Sequence, residues 1–392
     1  MDRSHTERAA RVASASLQGH PPAVSAVVCE TYDLEQVRRA VTTALAPLGG
    51  MKRFVRPGMS VLLKPNLVSA AALDRGVTTH PAVVEVVAGL VQEAGGMALV
   101  GDSPGGPIAD NDRVLSGTGM VDAAERAGAQ IVRFDGVAWI RHGGADYFVA
   151  RPVLDVDLII NLPKLKTHVL TLYTGAIKNL FGVIPGTRKR EVHCRAPGVI
   201  DFGQALVDVL ELVRPGLTIM DGILGQEGNG PGVGGTPHPY GCVVASADPL
   251  ALDTVVARAL GYRTGEVVYL EQASARGLGV SDPRAVQILG DRAALDFGPL
   301  DLPKSHWYFR LPGWISKPVH RGATIRPRLS AAACVGCGRC VEVCPGDAIA
   351  LEKQATIDLS RCIGCLCCAE ICPQGAIEPR WSLLARLIGI GP

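Results

Sequence analysis

The stretches CVGCGRCVEVCP (residues 334–345) and CIGCLCCAEICP (residues 362–373) each place their cysteines in the pattern C-x2-C-x2-C-x3-C-P. Three thiolates spaced two residues apart wrap around one corner of an iron–sulfur cubane, and the fourth, followed by proline, points towards a neighbouring cluster. The spacing therefore predicts two [4Fe–4S] clusters, the first bound by Cys334, Cys337, Cys340 and Cys372 and the second by Cys344, Cys362, Cys365 and Cys368.

The doubled pattern resembles that of bacterial two-cluster ferredoxins, which implies a small α+β ferredoxin domain over residues 330–380. Structural zinc and disulfides are the alternative uses of so many cysteines. The second run contains an extra thiol, Cys367, but the two-residue spacing favours Cys368 as the ligand. The cysteines outside the predicted clusters are Cys29, Cys194, Cys242 and Cys367. They are scattered along the chain, and the clusters need a reducing compartment, so we expect a cytoplasmic protein.

The amino-acid composition excludes some classes of protein and favours others. The chain has 392 residues, and its 39 basic and 37 acidic side chains leave a net charge of +2, which gives no reason to expect a nucleic-acid partner. Residues 1–22 are polar and are predicted to be disordered. The sequence contains no apolar run long enough to predict a transmembrane segment. Many small aliphatic residues, with 46 glycines and 27 prolines, favour an α/β protein with a buried parallel sheet.

The order of apolar runs, polar loops and helical patterns predicts the fold of residues 23–295. Strand, loop and helix repeat about five times, which is typical of an α/β domain with a mostly parallel, doubly wound sheet. Residues 296–329 are predicted to be a linker that wraps the main domain, and residues 381–392 an apolar C-terminal tail. The predicted strands are Val24–Glu30, Ser60–Leu63, Met97–Val100, Gln130–Phe134, Val153–Ile160, Leu217–Met220 and Cys242–Ser246.

Polar side chains are concentrated in the loops that follow these strands. Ligands bind beyond the carboxyl ends of the strands in such sheets, so we expect the loops to converge on a site. The segment 161–186 is the richest in basic residues and predicts a cationic pocket, although a solvated basic loop would have the same composition. The candidate substrate-binding residues are Lys64, Asn66, Asp102, Ser103, Lys164, Lys178, Asn179, Asp221, Glu227 and Asn229.

Two histidines flank this basic segment. His168 and His193 are candidate proton donors because an imidazole titrates near neutral pH. Lys166, two residues before His168, completes the candidate catalytic group. The sequence GDSPGGP (residues 101–107) is similar to a phosphate-binding loop, but it matches no nicotinamide, flavin or ATP fingerprint.

Several segments together resemble one family, that of domain of unknown function 362. The resemblance covers about residues 24–262 and implies an iron–sulfur protein with a redox role, since this domain is often fused to a ferredoxin module. It names no substrate. The segments are KPNLV (64–68), THP (79–81), GDSPG (101–105), NLPKLKTH (161–168), GAIKNLFG (175–182), DGILGQEGNGP (221–231) and ASADPLALD (245–253).

These observations predict an iron–sulfur oxidoreductase. Reduced ferredoxin or a similar donor would supply single electrons, which two [4Fe–4S] clusters would relay to a small anionic or conjugated substrate in the basic pocket. The main alternative is a non-catalytic electron-transfer protein or subunit whose α/β domain docks a partner enzyme. Two further hypotheses are a ligand-binding or maturation protein with structural or transferred clusters, and an enzyme with a bound organic cofactor that has no sequence fingerprint.

Overall fold

The computed structural model describes residues 22–105, 108–196, 198–231, 234–303 and 325–382. Three predicted segments lie wholly or largely outside these ranges: the disordered N-terminus (1–22), the aromatic part of the linker and the apolar tail (381–392). The strands of the α/β domain are β1 (Ala23–Val28), β2 (Ser60–Pro65), β3 (Met97–Val100), β4 (Gln130–Ile131), β5 (Val137–His142), β6 (Ala145–Ala150), β7 (Leu158–Leu162), β8 (Lys164–His168), β9 (Leu172–Thr174), β10 (Leu217–Gly228), β11 (Gly235–His238), β12 (Cys242–Ser246) and β13 (Gln287–Gly290).

Helices lie in the connections between these strands. They are α1 (Leu34–Leu45), α2 (Met51–Phe54), α3 (Pro81–Glu93), α4 (Asn111–Gly117), α5 (Met120–Arg126), α6 (Arg151–Asp155), α7 (Ala176–Asn179), α8 (Arg188–Arg195), α9 (Val199–Val213), α10 (Pro249–Ala259) and α11 (Val268–Ala275). None of the helices in the described ranges combines the length and the apolar character that a membrane crossing requires.

A large mixed sheet forms the centre of the α/β domain, in the order β13-β1-β12-β10-β7-β2-β3-β4. The run from β10 to β4 is parallel, and β12 is antiparallel to both of its neighbours. Apolar side chains fill both faces of the sheet. Helices α9, α10 and α11 pack on one face, and α1, α3 and α5 pack on the other. The predicted α/β class and mostly parallel sheet are therefore confirmed.

Several local predictions are wrong. Lys164–His168, expected in the loop after a buried strand, is itself strand β8. Residues Arg151–Asp155 are helical rather than extended, because Pro152 sits in the first turn of α6, where its missing N–H costs nothing. The glycine-rich stretch after Met220, expected to be a loop, continues β10 as far as Gly228 and pairs with β8 and β11. A Cβ atom on Gly225 would collide with the carbonyl oxygen of Leu165, so glycine here lets two strands approach closely.

The C-terminal module is small and built from short elements. Strand β14 (Ile325–Leu329) pairs antiparallel with β17 (Ile377–Trp381), and β15 (Ile349–Leu351) pairs with β16 (Ala355–Ile357). Helix α12 (Arg339–Glu342) contains Cys340, the third cysteine of the first run. Helix α13 (Cys367–Ile371) contains Cys368, the third cysteine of the second run. This α+β arrangement confirms the expected ferredoxin-type domain.

The close approach at Gly225 generates a prediction. Gly225→Ala should lower the free energy of unfolding by about 1–3 kcal/mol, because the new methyl group meets the Leu165 carbonyl and the Tyr240 ring. Gly89→Ala in helix α3 is the matched control. Only Arg38 lies near a Cβ at that position, at 3.9 Å, so the substitution should stabilise by about 0.4–1 kcal/mol. Chemical denaturation measures both, and equal effects of the two substitutions would contradict the packing argument.

Candidate functional site

The cysteines of the C-terminal module gather in two sets that alternate between the two sequence runs. Cys334, Cys337, Cys340 and Cys372 line one small cavity, so three residues of the first run meet the last residue of the second. Burial raises the pKa of the Cys368 thiol, and the sulfurs that raise it further are, in order, those of Cys365, Cys362, Cys344 and Cys340. These neighbours fit the predicted ligand sets for [4Fe–4S] clusters.

The two cysteine sets differ in their surroundings. In the first set Cys337 is exposed, and its neighbour Val335 exposes 65% of its surface. In the second set Cys344, Cys365 and Cys368 are buried. The first set therefore lies at the protein surface, and the second lies deeper.

Side chains from α8 and β8 join the α/β domain to the C-terminal module on the side of the second cysteine set. Nη2 of Arg190 lies 2.6 Å from Oδ1 of Asp347. The Cys194 thiol donates to the backbone carbonyl of Pro345 at 3.1 Å, next to the ligand Cys344. These contacts bring the C-terminal module against the carboxyl edge of the sheet.

A cavity of about 120 Å³ lies between the two parts of the chain. The α/β domain lines it with polar and aromatic side chains, and the C-terminal module adds residues next to its cluster cysteines. Of the sequence-predicted site residues, those that line this cavity are Asn66, Asp102, Ser103, His168, Lys178, Asn179 and His193. The other predicted residues (Lys64, Lys164, Lys166, Asp221, Glu227 and Asn229) are not among the lining residues.

Most of the basic side chains near the cavity are held by protein oxygens. Nζ of Lys64 lies 2.7 Å from Oδ1 of Asp102, and both side chains are buried. Nζ of Lys189 donates to the carbonyl and hydroxyl of Ser103 and to the carbonyl of Pro104, at 2.8, 3.1 and 3.0 Å. Three acceptors use all three N–H groups of an ammonium. Lys189 therefore has no donor to spare for a ligand, and the charge of Lys64 is paired with Asp102.

The two lysines of β8 are engaged in the same way. Nζ of Lys166 donates to Oδ1 of Asn66 at 2.6 Å and to the carbonyl of Val77 at 2.7 Å. Nζ of Lys164 donates to Asp221 and to the Tyr32 hydroxyl, both at 2.7 Å. Lys166 therefore positions Asn66 at the cavity wall, whereas Lys164 belongs to a separate buried network.

Lys178, at the end of the short helix α7, differs from these lysines. Its ammonium makes no hydrogen bond or ion pair of its own with any side chain or backbone group in the described ranges, and it lines the cavity. Burial lowers its pKa, while Glu370 and Cys367 of the C-terminal module act to raise it. Lys178 is thus the basic group with donors directed to the cavity.

His168 accepts backbone hydrogen bonds at one ring nitrogen and has Glu370 beside the other. The backbone N–H groups of Leu170 and Thr171 donate to Nδ1 at 3.0 and 3.3 Å, which leaves the ring proton on Nε2. Nε2 lies 3.0 Å from Oε1 of Glu370. Burial lowers the pKa of His168 to about 4, so the ring is neutral at pH 7. Its contact with Glu370 ties the α/β domain to the C-terminal module.

His193 occupies the apolar side of the cavity. Its ring stacks on Phe202 with 4.5 Å between centroids and meets Phe181 edge-on at 5.5 Å. Burial lowers the pKa of His193 to about 4. Within the described ranges its ring nitrogens have no hydrogen-bond partner, so they remain available to a ligand.

Lys189, Cys367 and Glu370 are lining residues that were not among the sequence-predicted site residues. Lys189 follows the basic segment 161–186 but had no feature to separate it from its neighbours. Cys367 was noted only as an extra thiol, and Glu370 carried no signal at all. Both come from α13, about 200 residues along the chain from the basic segment, and no local pattern predicts that approach.

A second buried network lies around β10 and the start of α3. The rings of Tyr32 and His80 stack with 3.7 Å between centroids. Asp221 accepts from the Tyr32 hydroxyl at 3.0 Å and from the backbone N–H of His80 at 2.9 Å. Nδ1 of His80 in turn accepts from the backbone N–H of Ala82 and caps α3. The predicted site residues Lys164 and Asp221 thus hold a helix start in place.

This network predicts a pH dependence of stability. Burial lowers the pKa of His80 from 6.5 to about 4, so between these values the unfolded chain binds more protons than the folded one. Stability should therefore fall as the pH falls from about 6.5 towards 4. His80→Asn keeps a capping acceptor that does not titrate and should flatten this dependence. Denaturation at pH 7.5 and 5.5 compares the two proteins, and an unchanged slope would contradict the assignment.

The crossed cysteine sets predict how iron is lost. The pair Cys344→Ala with Cys368→Ala removes two ligands from one set, so about half of the iron should remain. The pair Cys344→Ala with Cys372→Ala damages both sets and should remove nearly all of it. Iron content and electron paramagnetic resonance after anaerobic reconstitution measure the difference. Equal iron loss in the two double variants would rule out the crossed arrangement.

Comparisons with known proteins identify the family of each part of the chain. The model of a family described as domain of unknown function (DUF362) matches residues 61–258, and that of a 4Fe-4S dicluster domain matches residues 333–376. The thylakoid-associated protein sll1697 of Synechocystis sp. is 34% identical over 319 residues, which cover 76% of this chain and 97% of the relative.

Proposed function

The chain belongs to the DUF362 family, and from that premise we propose that it is an iron–sulfur oxidoreductase that reduces a small anionic or conjugated substrate in the cavity between its two parts. The observation that carries the proposal is the position of Lys178. Its ammonium lines a cavity together with Cys367 and Glu370, which come from the same helix as the predicted cluster ligand Cys368. A cation directed at a substrate thus lies beside a redox centre.

The eight cysteines fit two [4Fe–4S] clusters, which supply one-electron transfer when bound. The remaining chemistry belongs to the residues of the cavity. Lys178 binds the anionic group of the substrate, and its charge stabilises negative charge that develops on the substrate as it accepts electrons. Phe181 and Phe202 offer an apolar surface to the rest of the molecule. A cavity of about 120 Å³ restricts the substrate to a small molecule, since an apolar cavity of roughly 150 Å³ holds benzene.

Proton delivery falls to His193 in this proposal. His168 keeps its Nε2 proton directed at Glu370, so it fixes the approach of the two parts of the chain. The ring of His193 is neutral and has free nitrogens at the cavity wall. A neutral imidazole donates its N–H to a strongly basic centre such as a radical anion or an enolate. Lys166 acts through Asn66, which it orients.

Reduced ferredoxin or a similar one-electron carrier is the proposed donor, and the exposed Cys337 edge is where it would approach. That same exposed edge also favours the second candidate function, an electron-transfer subunit whose α/β domain docks a partner enzyme. We propose a cytoplasmic location because the thiolate ligands need a reducing compartment. The word thylakoid in the relative's name describes that protein.

The test uses anaerobically reconstituted protein, reduced and mixed with small α,β-unsaturated carboxylic acids. Saturating the double bond takes two electrons, one from each predicted cluster, and two protons, one through His193 and one from solvent, so we expect reoxidation of the protein with formation of the saturated acid. Lys178→Met should weaken binding at least about 30-fold, since it removes one partner of a buried charge pair. Lys52→Met, at an exposed position in α2, is the matched control and should bind normally. Protein that accepts electrons but binds no anion would refute the reductase and leave the carrier function.

A further inference from the structure

Lys178 lines the cavity together with Cys367 and Glu370 of α13. The negative charge of Glu370 acts on the Lys178 ammonium. The next residue after Cys367 is Cys368, a ligand of the second cysteine set. The Lys178 side chain is only partly exposed, so water screens its interactions less than it would at the open surface.

The other two lysines near the cavity already have protein partners. Asp102 pairs with Lys64, and three oxygens surround the ammonium of Lys189. An anion in the cavity and an electron added at the second cysteine set would therefore act on the same ammonium. Each makes the local charge more negative, so each opposes the other.

We propose that the cavity is an anion site centred on Lys178 whose affinity is linked to the redox state of the cluster bound by Cys344, Cys362, Cys365 and Cys368. The inference rests on the proposed function only in placing an anionic ligand in this cavity. Reduction adds one negative charge at that cysteine set and weakens anion binding. By thermodynamic reciprocity, a bound anion lowers the reduction potential of the same cluster by the equivalent amount.

The linkage gives the site a direction. An anionic ligand binds most tightly to the oxidised protein, and each electron added at the second cysteine set lowers the affinity of the cavity for that ligand. Transfer of the electron and a proton to the ligand relieves the repulsion, because the added negative charge then leaves the neighbourhood of the cluster. Of the lining residues from the C-terminal module, Val343 and Cys367 directly precede Cys344 and Cys368 of the second set, whereas only Ile371 directly precedes a residue of the first set, Cys372, so the potential of the first set should respond less.

The test is a potentiometric titration of the reconstituted protein, followed by electron paramagnetic resonance, at constant ionic strength. Acetate and inorganic phosphate are the probes, and acetamide is a neutral control of the same size as acetate. Equilibrium dialysis measures acetate binding to the oxidised and the reduced protein. We expect the reduced protein to bind about tenfold more weakly, which corresponds to about 59 mV for a one-electron couple. Acetamide should leave the potential unchanged.

Lys178→Met provides a second readout that does not depend on turnover. Removing the cation and neutralising it with an anion have similar electrostatic effects, so the variant without anion should already show the lowered potential. Added acetate should then shift it no further. Lys52→Met, at an exposed position in α2, should behave like the parent protein in both respects.

The outcomes separate this inference from the reductase. Acetate that binds equally to both redox states, or a shift that acetamide reproduces, would overturn the linkage and leave the reductase standing. A shift that depends on Lys178, without reduction of any unsaturated acid, would support the linkage and refute the reductase. If neither acetate nor phosphate binds in either state, both proposals fail.

Discussion

The cost of burying lysine ammonium groups shapes the carboxyl edge of this sheet. An ammonium removed from water loses several kcal/mol of hydration unless oxygens replace the solvent. Lys64 and Lys164 each face a buried aspartate, and Lys189 is surrounded by three oxygens of the 103–104 turn. The loops and strands that carry these partners are thereby fixed relative to one another. The polar groups at this edge are therefore mostly paired with one another, and their first role is to stabilise the fold.

Within that edge, the absence of protein partners around the Lys178 ammonium, within the described ranges, is informative. Folding alone gives no reason to bury a cation whose donors lack acceptors. The neighbouring amides are, in contrast, paired: Asn179 donates to Oδ1 of Asn161 at 2.8 Å and accepts from Asn66 at 2.9 Å. The difference separates residues that hold the site together from residues that are left for a ligand. Counting basic residues in the sequence does not make that distinction.

The sequence predicted the parts of the fold that depend on local pattern. The buried strands β2, β3 and β12 and the helices α9 and α10 follow from apolar runs with clear boundaries. The glycine-rich end of β10 was missed, because glycine there serves close strand contact rather than a turn. The cysteine sets were predictable since their spacing is set by the cubane itself.

The cavity was predictable only in part. A basic pocket after β7 follows from the sequence, but the pairing of each lysine depends on partners such as Asp102 and Asp221 that are distant along the chain. The wall formed by Glu370 is less predictable still. It depends on how two separately patterned parts of the chain pack together, and neither part carries a signal for the other.

Because the C-terminal module forms part of the cavity wall, the cavity depends on the metal content of the protein. The C-terminal module has a small core in which cysteine ligands such as Cys340 and Cys368 are themselves core residues. Proteins of this kind gain much of their folding free energy from the metal they bind. Loss of iron, for example through oxidation, would release Cys367 and Glu370 from their positions and open the cavity to solvent. The cavity would thus be lost together with the cysteine sets of the C-terminal module.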